Sequence, residues 1–204
     1  MTTPRTPTCA SDAGPWCGPD TVADTVLAAK AAQPGARSWS FSRMGAMLGS
    51  ITVPVVGLDQ LTKLYIASHF PLYGTRVIIP NWLDLTYTLN PGAAFSLFAT
   101  LPAAVREVLF LVLSCTAVIV LLVLLARRGA STASQVGFAL ILGGTIGNLI
   151  DRVIRGEVVD FIYFHHDSFN YPVFNVADSA ITIGVAMVLL ASYLSGRAAN
   201  SAAT

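Results

Sequence analysis

Residues 174–196 read FNVADSAITIGVAMVLLASYLSG and decide how the chain folds. The run from Ser179 to Gly196 carries no charge and is close to the ~20 residues that a helix needs to cross ~30 Å of hydrocarbon. Asp178 stands directly before this run, and a second acid, Asp160, ends the nearby segment GEVVD, residues 156–160. Placing acidic groups at the end of a membrane span costs free energy, so such groups indicate a functional site. Two aspartates that share one proton are the minimal equipment for hydrolysing a peptide bond without a metal.

The composition of the whole chain indicates a membrane protein. Hydrophobic residues make up 54% and charged residues 11%, against about 25% charged residues in soluble domains. Further uncharged runs extend from Val108 to Ala126 and from Ala130 to Ile150, and a fourth apolar run, from Met44 to about Ser68, contains two charges. We therefore predict an all-α membrane protein with four transmembrane helices and a small extracytoplasmic β-like loop region.

The basic residues predict the orientation of the spans. They gather before the first span and after the second and fourth: Lys30, Arg37, Arg43, Arg127, Arg128 and Arg197. Because cytoplasmic loops carry the excess of Lys and Arg, we expect both termini in the cytoplasm and the acid pair near the extracytoplasmic face. The predicted domains are a flexible cytoplasmic tail (1–43), a four-helix membrane domain (44–197) and a short cytoplasmic C-terminal tail (198–204). The net charge of +1 gives no reason to expect a nucleic acid partner.

The loop after the first span predicts a small sheet. Residues 83–90, LDLTYTLN, alternate apolar and polar side chains, which is the period of a half-buried strand, and residues 77–79 are its expected hairpin partner. We expect the apolar face of this sheet to lie toward the lipid headgroups. The segment Val158 to Phe164 is also strand-like. We interpret His165-His166-Asp167 as a solvated loop and expect neither a metal nor a cofactor.

Polar residues inside or beside the spans each have a structural explanation. Asp59 and Lys63 are four residues apart, which favours an intrahelical ion pair. Asn90 opens an Asn-Pro-Gly turn, and Gly143 and Gly147 form a small-xxx-small pattern that favours tight helix packing. Asn148, Asp151 and Arg152 share one helical face at the predicted outer boundary, and an amide and a guanidinium there can orient carboxylates or hold a substrate carbonyl.

The two aspartates also have structural alternatives. Asp178 and Asn175 are both candidate N-caps of the last helix, and Asp160 is a candidate exposed residue at a strand end. Their occurrence on one side of the membrane with Asn148 and Arg152 favours a catalytic site. Two other classes remain open from the residues alone: a small proton- or ion-coupled membrane carrier, which also needs intramembrane charges, and a non-enzymatic assembly protein, which leaves the acid pair unexplained.

Five ordered motifs resemble lipoprotein signal peptidase, the signal peptidase II family of bacterial inner-membrane aspartyl proteases. The motifs are DQLTK (59–63), NPGAAF (90–95), GGTIGNLIDR (143–152), GEVVDF (156–161) and FNVADS (174–179). The resemblance extends from about Gly57 to Ser195, and the chain does not depart from the family pattern within these motifs.

The resemblance implies a function and a set of site residues. It implies that Asp160 and Asp178 are the catalytic aspartates and that they cut a prolipoprotein just before a cysteine carrying diacylglycerol. The resemblance also implies residues that line or support the site, and we group neighbouring residues with them. Together these are Asp59, Lys63, Asn90, Gly144, Asn148, Asp151, Arg152 and Asn175. The partners are then diacylglyceryl-modified prolipoprotein signal peptides and membrane lipids, and we expect a monomer in the bacterial inner membrane.

Overall fold

The structure, a computed structural model, describes residues 40–92, 101–127 and 129–201. The predicted N-terminal tail up to residue 39, the Ala93-Ala94-Phe95 part of the second motif, Arg128 and residues 202–204 lie outside the described residues. The helices are α1 (Phe41–Met47), α2 (Val53–His69), α3 (Ala103–Ala126), α4 (Thr132–Arg155) and α5 (Val176–Ser201). The strands are β1 (Thr75–Ile79), β2 (Leu83–Asn90), β3 (Val158–His166) and β4 (Phe169–Asn170).

Four helical segments are long and apolar enough to cross a membrane: Phe41–His69, Ala103–Ala126, Thr132–Arg155 and Val176–Ala198. They confirm the four predicted spans. The first segment begins at Phe41, so residues 41–43, assigned to the tail in the sequence, are helical.

A π-helical turn, Leu48–Thr52, joins α1 to α2 inside the first span. The turn ends just before Pro54, which lies in the first two positions of α2. Proline has no N–H to donate to the carbonyl four residues earlier, so the regular helical hydrogen bonds are interrupted there. A single π turn absorbs such an interruption without ending the helix.

Glycines bring α4 close to its neighbours. A Cβ added at Gly137 would lie 2.7 Å from the carbonyl oxygen of Gly184 on α5, and one added at Gly184 would lie 2.6 Å from that of Gly137. On the other side of α4, a Cβ at Gly143 would lie 2.8 Å from the Cβ of Val55 on α2. The predicted close packing of the third span is therefore confirmed, and it holds α2, α4 and α5 together where the polar residues lie.

The four strands form one antiparallel sheet in the order β1-β2-β3-β4. The predicted hairpin is confirmed, because Val77 pairs with Asp84 across β1 and β2. On its other edge β2 pairs with β3, with Thr88 opposite Asp160 and Asn90 opposite Val158. The sheet thus connects the two loops that follow the first and third spans, and this pairing fixes the backbone of Asp160.

The expected direction of the apolar sheet face is wrong. Leu85, Tyr87 and Leu89 pack against a buried cluster of Ile66, Val159 and Phe161 rather than facing away from the protein. The reason is that the end of α2 and strand β3 provide an apolar surface that the sequence pattern of β2 does not reveal. Packing there removes the same side chains from water, so the sheet is anchored on the helices.

The interpretation of residues 165–167 as a solvated loop is also wrong for the histidines. His165 and His166 end strand β3, and only Asp167 lies in the turn that follows. His165 Nε2 lies 3.1 Å from an oxygen of Asp84, whose side chain is largely buried. This partner could not be predicted from local spacing, because Asp84 is 81 residues away along the chain.

Candidate active site

Asp160 lies on β3 with its side chain almost completely buried, at 2% exposure. Asn90 Nδ2 donates to its Oδ2 at 2.9 Å, and Asn175 Nδ2 donates to its Oδ1 at 2.7 Å. Each carboxylate oxygen therefore has an amide donor, one from β2 and one from the residue that precedes α5. The sheet pairing and these two amides fix both the position and the orientation of the carboxyl group.

Asp178 is held at the start of α5 by a reciprocal cap. The backbone N–H of Asp178 donates to Asn175 Oδ1 at 2.9 Å, and Asp178 Oδ2 accepts from the backbone N–H of Asn175 at 3.3 Å. This exchange has the geometry of a capping box. Both residues therefore act as caps, as the structural alternative predicted. The cap leaves Asp178 Oδ1 available, and it accepts from Asn148 Nδ2 at 2.8 Å.

Two asparagines link the two aspartates. Asn148 binds Asp178 through Nδ2, and its Oδ1 accepts from Asn175 Nδ2 at 3.1 Å. Asn175 Nδ2 in turn reaches Asp160. The carboxylates are thus connected by a short chain of side-chain amides from α4 and α5. Such a chain orients two acids relative to each other, and because amides are neutral it places no opposite charge against either carboxyl group.

The surroundings raise the pKa of Asp160 to about 7. Burial is the largest cause, because it disfavours the charged form, and the negative charge of Asp178 adds to it. The hydrogen bonds from Asn90 and Asn175 and the charge of Lys63 act in the opposite direction. An aspartic acid with this pKa keeps its proton in about half of the molecules at neutral pH and can release it, as a general acid requires.

Asp59, Lys63 and Asp151 form a buried charge cluster beneath this pair. Lys63 Nζ lies 2.8 Å from Asp59 Oδ2 and 2.9 Å from Asp151 Oδ2. The predicted intrahelical pair is therefore present, and Asp151 on α4 joins it. Gln60 Nε2 also donates to Asp59 at 3.2 Å. Removing one partner from such a buried group typically destabilises a protein by about 3–5 kcal/mol, because an unpaired charge is left behind.

Two glycines make room for this arrangement. A Cβ at Gly144 would overlap the carbonyl oxygen of Ala177, and one at Gly147 would lie 2.5 Å from Asp59 Oδ2. Gly144 therefore allows the start of α5 to approach α4, and Gly147 allows the carboxylate of Asp59 to enter the cluster. Gly144 was among the predicted supporting residues, whereas Gly147 was noted only for helix packing.

The guanidinium of Arg152 contacts α3 and interacts electrostatically with both Asp178 and Asp160. Its guanidinium lies 5.4 Å from the centre of the Phe110 ring, and Nη1 donates to Ser114 Oγ at 3.3 Å. Among the described residues, no carboxylate lies within ion-pair distance of Arg152. The guanidinium is held in place by an aromatic face and a hydroxyl, so its remaining donors are not committed to an ion pair.

An apolar pocket of about 460 Å³ opens beside Asp178. Its lining comes from the sheet and from the first two turns of α5, and includes Trp82, Phe164, Phe169, Tyr171, Phe174 and Ile183. None of these six residues was among the predicted site residues, although Phe174 lies in the FNVADS motif. The signal was the high density of aromatic residues between 161 and 174, of which only the segment up to Phe164 was interpreted, as a strand.

Fold and site together define a class: multi-pass membrane proteins in which an aspartate on a strand is joined by amides to an aspartate at the start of an apolar span, which lines an apolar pocket. Within the described residues, no group of three or more His, Cys, Asp or Glu side chains is arranged to hold a metal ion. The known proteins that this chain resembles identify which member of the class it is.

Residues 51–194 match the family model described as signal peptidase (SPase) II. A lipoprotein signal peptidase of Syntrophotalea carbinolica is 42% identical over 148 residues, which cover 72% of this chain and 90% of the relative. A lipoprotein signal peptidase of Pseudomonas putida is 42% identical over 159 residues, which cover 77% of this chain and 91% of the relative. A solved structure described as a bacterial membrane enzyme, determined by the in meso method, has a TM-score of 0.65 and 33% identity, covering 78% of this chain and 93% of that one.

The chain belongs to the signal peptidase II family. It is a membrane aspartic protease that removes signal peptides from prolipoproteins. This membership decides between the classes left open by the sequence, against the carrier and the assembly protein. The resemblance stated on five motifs is confirmed.

Proposed function

We propose that Asp160 and Asp178 are the catalytic dyad and that they activate a water molecule to cut the substrate just before a diacylglyceryl-modified cysteine. The observation that carries the proposal is the amide chain through Asn148 and Asn175, which binds both carboxylates at once. The capping function of Asp178 uses Oδ2 and is compatible with catalysis by Oδ1.

The different surroundings of the two acids assign their roles. Asp160 has a pKa of about 7 and carries the shared proton, so Asp178, at the N-terminus of α5, acts as the base of the pair. Asp178 takes a proton from the water molecule while the water oxygen attacks the scissile carbonyl carbon. Asp160 donates its proton to the carbonyl oxygen, which becomes a hydroxyl.

Collapse of the tetrahedral intermediate completes the cycle. The hydroxyl returns its proton to Asp160 as the carbon–nitrogen bond breaks, and the proton on Asp178 passes to the leaving nitrogen. The products are a free carboxyl on the signal peptide and a free amine on the lipid-modified cysteine. The dyad regains its single proton, so no covalent intermediate or metal is needed in this scheme.

The apolar pocket beside Asp178 accommodates apolar side chains of the peptide next to the scissile bond in this proposal. The acyl chains of the substrate stay among the lipids and fix the depth of the cleavage site, so that positioning becomes a nearly two-dimensional search. Trp82 lines the pocket from the hairpin, which can close over the peptide as a lid. Unchanged cleavage after Trp82 and Leu85 are both replaced by serine would count against the lid.

We further propose that the protein lies in the bacterial inner membrane as a monomer, with its site near the extracytoplasmic face. Residues 1–43 and 198–204 are then cytoplasmic tails around the membrane domain 44–197. Substrates secreted across that membrane present their lipid-modified cysteine at the outer face, where the pocket and the dyad meet them. The excess of Lys and Arg on the opposite side supports this orientation.

Cleavage of a synthetic lipobox peptide, with and without its diacylglyceryl group, tests the proposal. We expect the purified protein in lipid to cut only the lipid-modified peptide. Asp160→Asn and Asp178→Asn each lose at least the 10²–10⁴-fold that acid–base catalysis typically contributes. Asp167→Asn is the matched control, because Asp167 is an exposed aspartate just after the same strand. Retained activity in either dyad variant would overturn the assignment.

A further inference from the structure

Lys63 is completely buried and binds three acceptors with its ammonium group. The acceptors are Asp59 Oδ2 at 2.8 Å, Asp151 Oδ2 at 2.9 Å and Asn148 Oδ1 at 2.8 Å. An ammonium group has three N–H donors, so all of them are used. The three acceptors come from α2 and α4, and intrahelical pairing with Asp59 alone would leave two of these bonds unexplained.

The carboxylates that Lys63 joins each hold one backbone N–H. Asp59 Oδ1 accepts from the N–H of Ala177 at 2.9 Å. Asp151 Oδ2 accepts from the N–H of Val159 at 3.1 Å. Ala177 directly precedes Asp178, and Val159 directly precedes Asp160. The cluster therefore binds the backbone at the residue before each aspartate of the dyad.

The third bond of Lys63 leads to the side chains of the dyad. It orients Asn148 by occupying Oδ1, which leaves Asn148 Nδ2 directed at Asp178 Oδ1, 2.8 Å away. The same Oδ1 accepts from Asn175, whose amide reaches Asp160. With a neutral group at position 63, only Asn175 Nδ2 and Asp178 Oδ1 would hold the amide of Asn148 in this orientation, and Oδ1 would lose its charged donor.

We propose that Lys63 is a positioning residue that sets the separation and orientation of Asp160 and Asp178, by joining the two carboxylates that hold the backbone before each of them. The inference rests on the proposed dyad and adds to it the element that fixes its geometry. Lys63 does not touch the reacting atoms. Its effect passes through Asp59 to α5, through Asp151 to β3, and through Asn148 to the carboxyl group of Asp178.

Two lipobox peptide analogues measure the dyad geometry directly. One carries a hydroxyethylene group in place of the scissile amide, so its hydroxyl is bound between the two aspartates, and the other carries a plain ethylene group. A group that mimics the tetrahedral transition state binds at least about a hundredfold more tightly than its counterpart when the catalytic groups are correctly placed. The ratio of the two Kd values reports the dyad and is independent of the fraction of folded protein.

In the wild type we expect the hydroxyl analogue to bind about a hundredfold more tightly than the plain one. Lys63→Met reduces that ratio to less than about fivefold, while the Kd of the plain analogue changes little. Gln135→Met is the matched control, since Gln135 is also a fully buried polar side chain of the bundle, on α4, outside the cluster. Its ratio stays at the wild-type value.

Asp59→Asn provides a second measurement if Lys63→Met does not fold, because the amide keeps the shape and removes one charge from the cluster. A reduced ratio in this variant supports the proposal. A wild-type ratio in the folded variants would mean that Lys63 only holds the helices together, and the proposal would be wrong. If the wild type itself does not distinguish the two analogues, the dyad assignment fails instead.

Discussion

At the scale of single residues, the proton on Asp160 determines how activity depends on pH. The pKa of Asp160 is about 7, so above that pH the proposed acid loses its proton and cannot donate to the carbonyl oxygen. As the pH rises, we expect kcat/KM to fall with a midpoint near pH 7 and to decrease about tenfold for each further pH unit. A profile of kcat/KM between pH 5 and 9 on the lipid-modified peptide measures it. A flat profile across pH 7 would contradict the role of Asp160 as the acid.

Replacing Asn90 by leucine shifts this midpoint upward. Asn90 Nδ2 donates to Asp160 and favours its charged form, so losing the bond raises the pKa of Asp160 further, by about one unit for a hydrogen bond to a charged group. Thr88→Val is the control on the same strand, because Thr88 Oγ1 donates only to the backbone oxygen of Asp160. A midpoint that stays at the wild-type value in Asn90→Leu would show that the amide does not act on this carboxyl.

Gly147→Ala disturbs the charge cluster by a single methyl group. The added Cβ would lie 2.5 Å from Asp59 Oδ2, and that carboxylate is held by Lys63 and by the N–H of Ala177. We expect a loss of about 1–3 kcal/mol of stability, the usual cost of overpacking, and reduced activity. Gly57→Ala on α2, where nothing lies within 4 Å of the new Cβ, should instead leave both close to the wild type or slightly improve stability. Melting temperatures in detergent micelles compare the two.

At the scale of helices and strands, Asn175 combines two functions that a substitution can separate. Its Oδ1 caps α5, and its Nδ2 donates to Asp160. Asn175→Asp keeps the cap oxygen but replaces the donor to Asp160 by a fully buried acceptor. We therefore expect almost no cleavage, together with a lower melting temperature because the new carboxylate is buried without a donor. Asn175→Ala loses the cap as well, at about 1 kcal/mol.

Ser131→Ala is the control for the cap alone. Ser131 Oγ accepts from the N–H of Ser134 at the start of α4. Its removal costs about 1 kcal/mol of stability without touching the acids, so cleavage should remain at the wild-type rate. Full activity in Asn175→Asp would mean that the amide donor to Asp160 is dispensable.

The sequence predicted elements better than it predicted their partners. Span lengths, the β1–β2 hairpin and the Asp59–Lys63 pair follow from local spacing, and each is present. The pairing of β2 with β3, which brings Asn90 to Asp160, joins segments about 70 residues apart and leaves no trace in either strand's period. The predicted direction of the apolar face of β2 was wrong for the same reason, since a period of two identifies an apolar face but not the surface that covers it.

At the scale of the whole molecule, the membrane explains why so much apolar surface is exposed. Leu189 on α5 is 65% exposed and Ile119 on α3 is 63% exposed, although both lie mid-span. Lipid covers such side chains, so the protein needs few buried apolar residues and reserves its interior for polar groups. That interior contains Asp59, Lys63, Asn148 and Asp151 at 6% exposure or less, and it supports the site from below.

The orientation of the molecule decides whether the site can meet its substrate. Ser168 is an exposed residue of the turn between β3 and β4, on the side of the dyad, and Ala133 is exposed in the first turn of α4, at the opposite end of the span. In a background in which Cys9, Cys17 and Cys115 are serine, a membrane-impermeant maleimide applied to spheroplasts should label Ser168→Cys. Ala133→Cys should react only after the membrane is permeabilised. The reverse pattern would place the dyad on the cytoplasmic side, where a lipid-modified cysteine on the outer leaflet cannot reach it, and the proposed cleavage of secreted prolipoproteins would have to be abandoned.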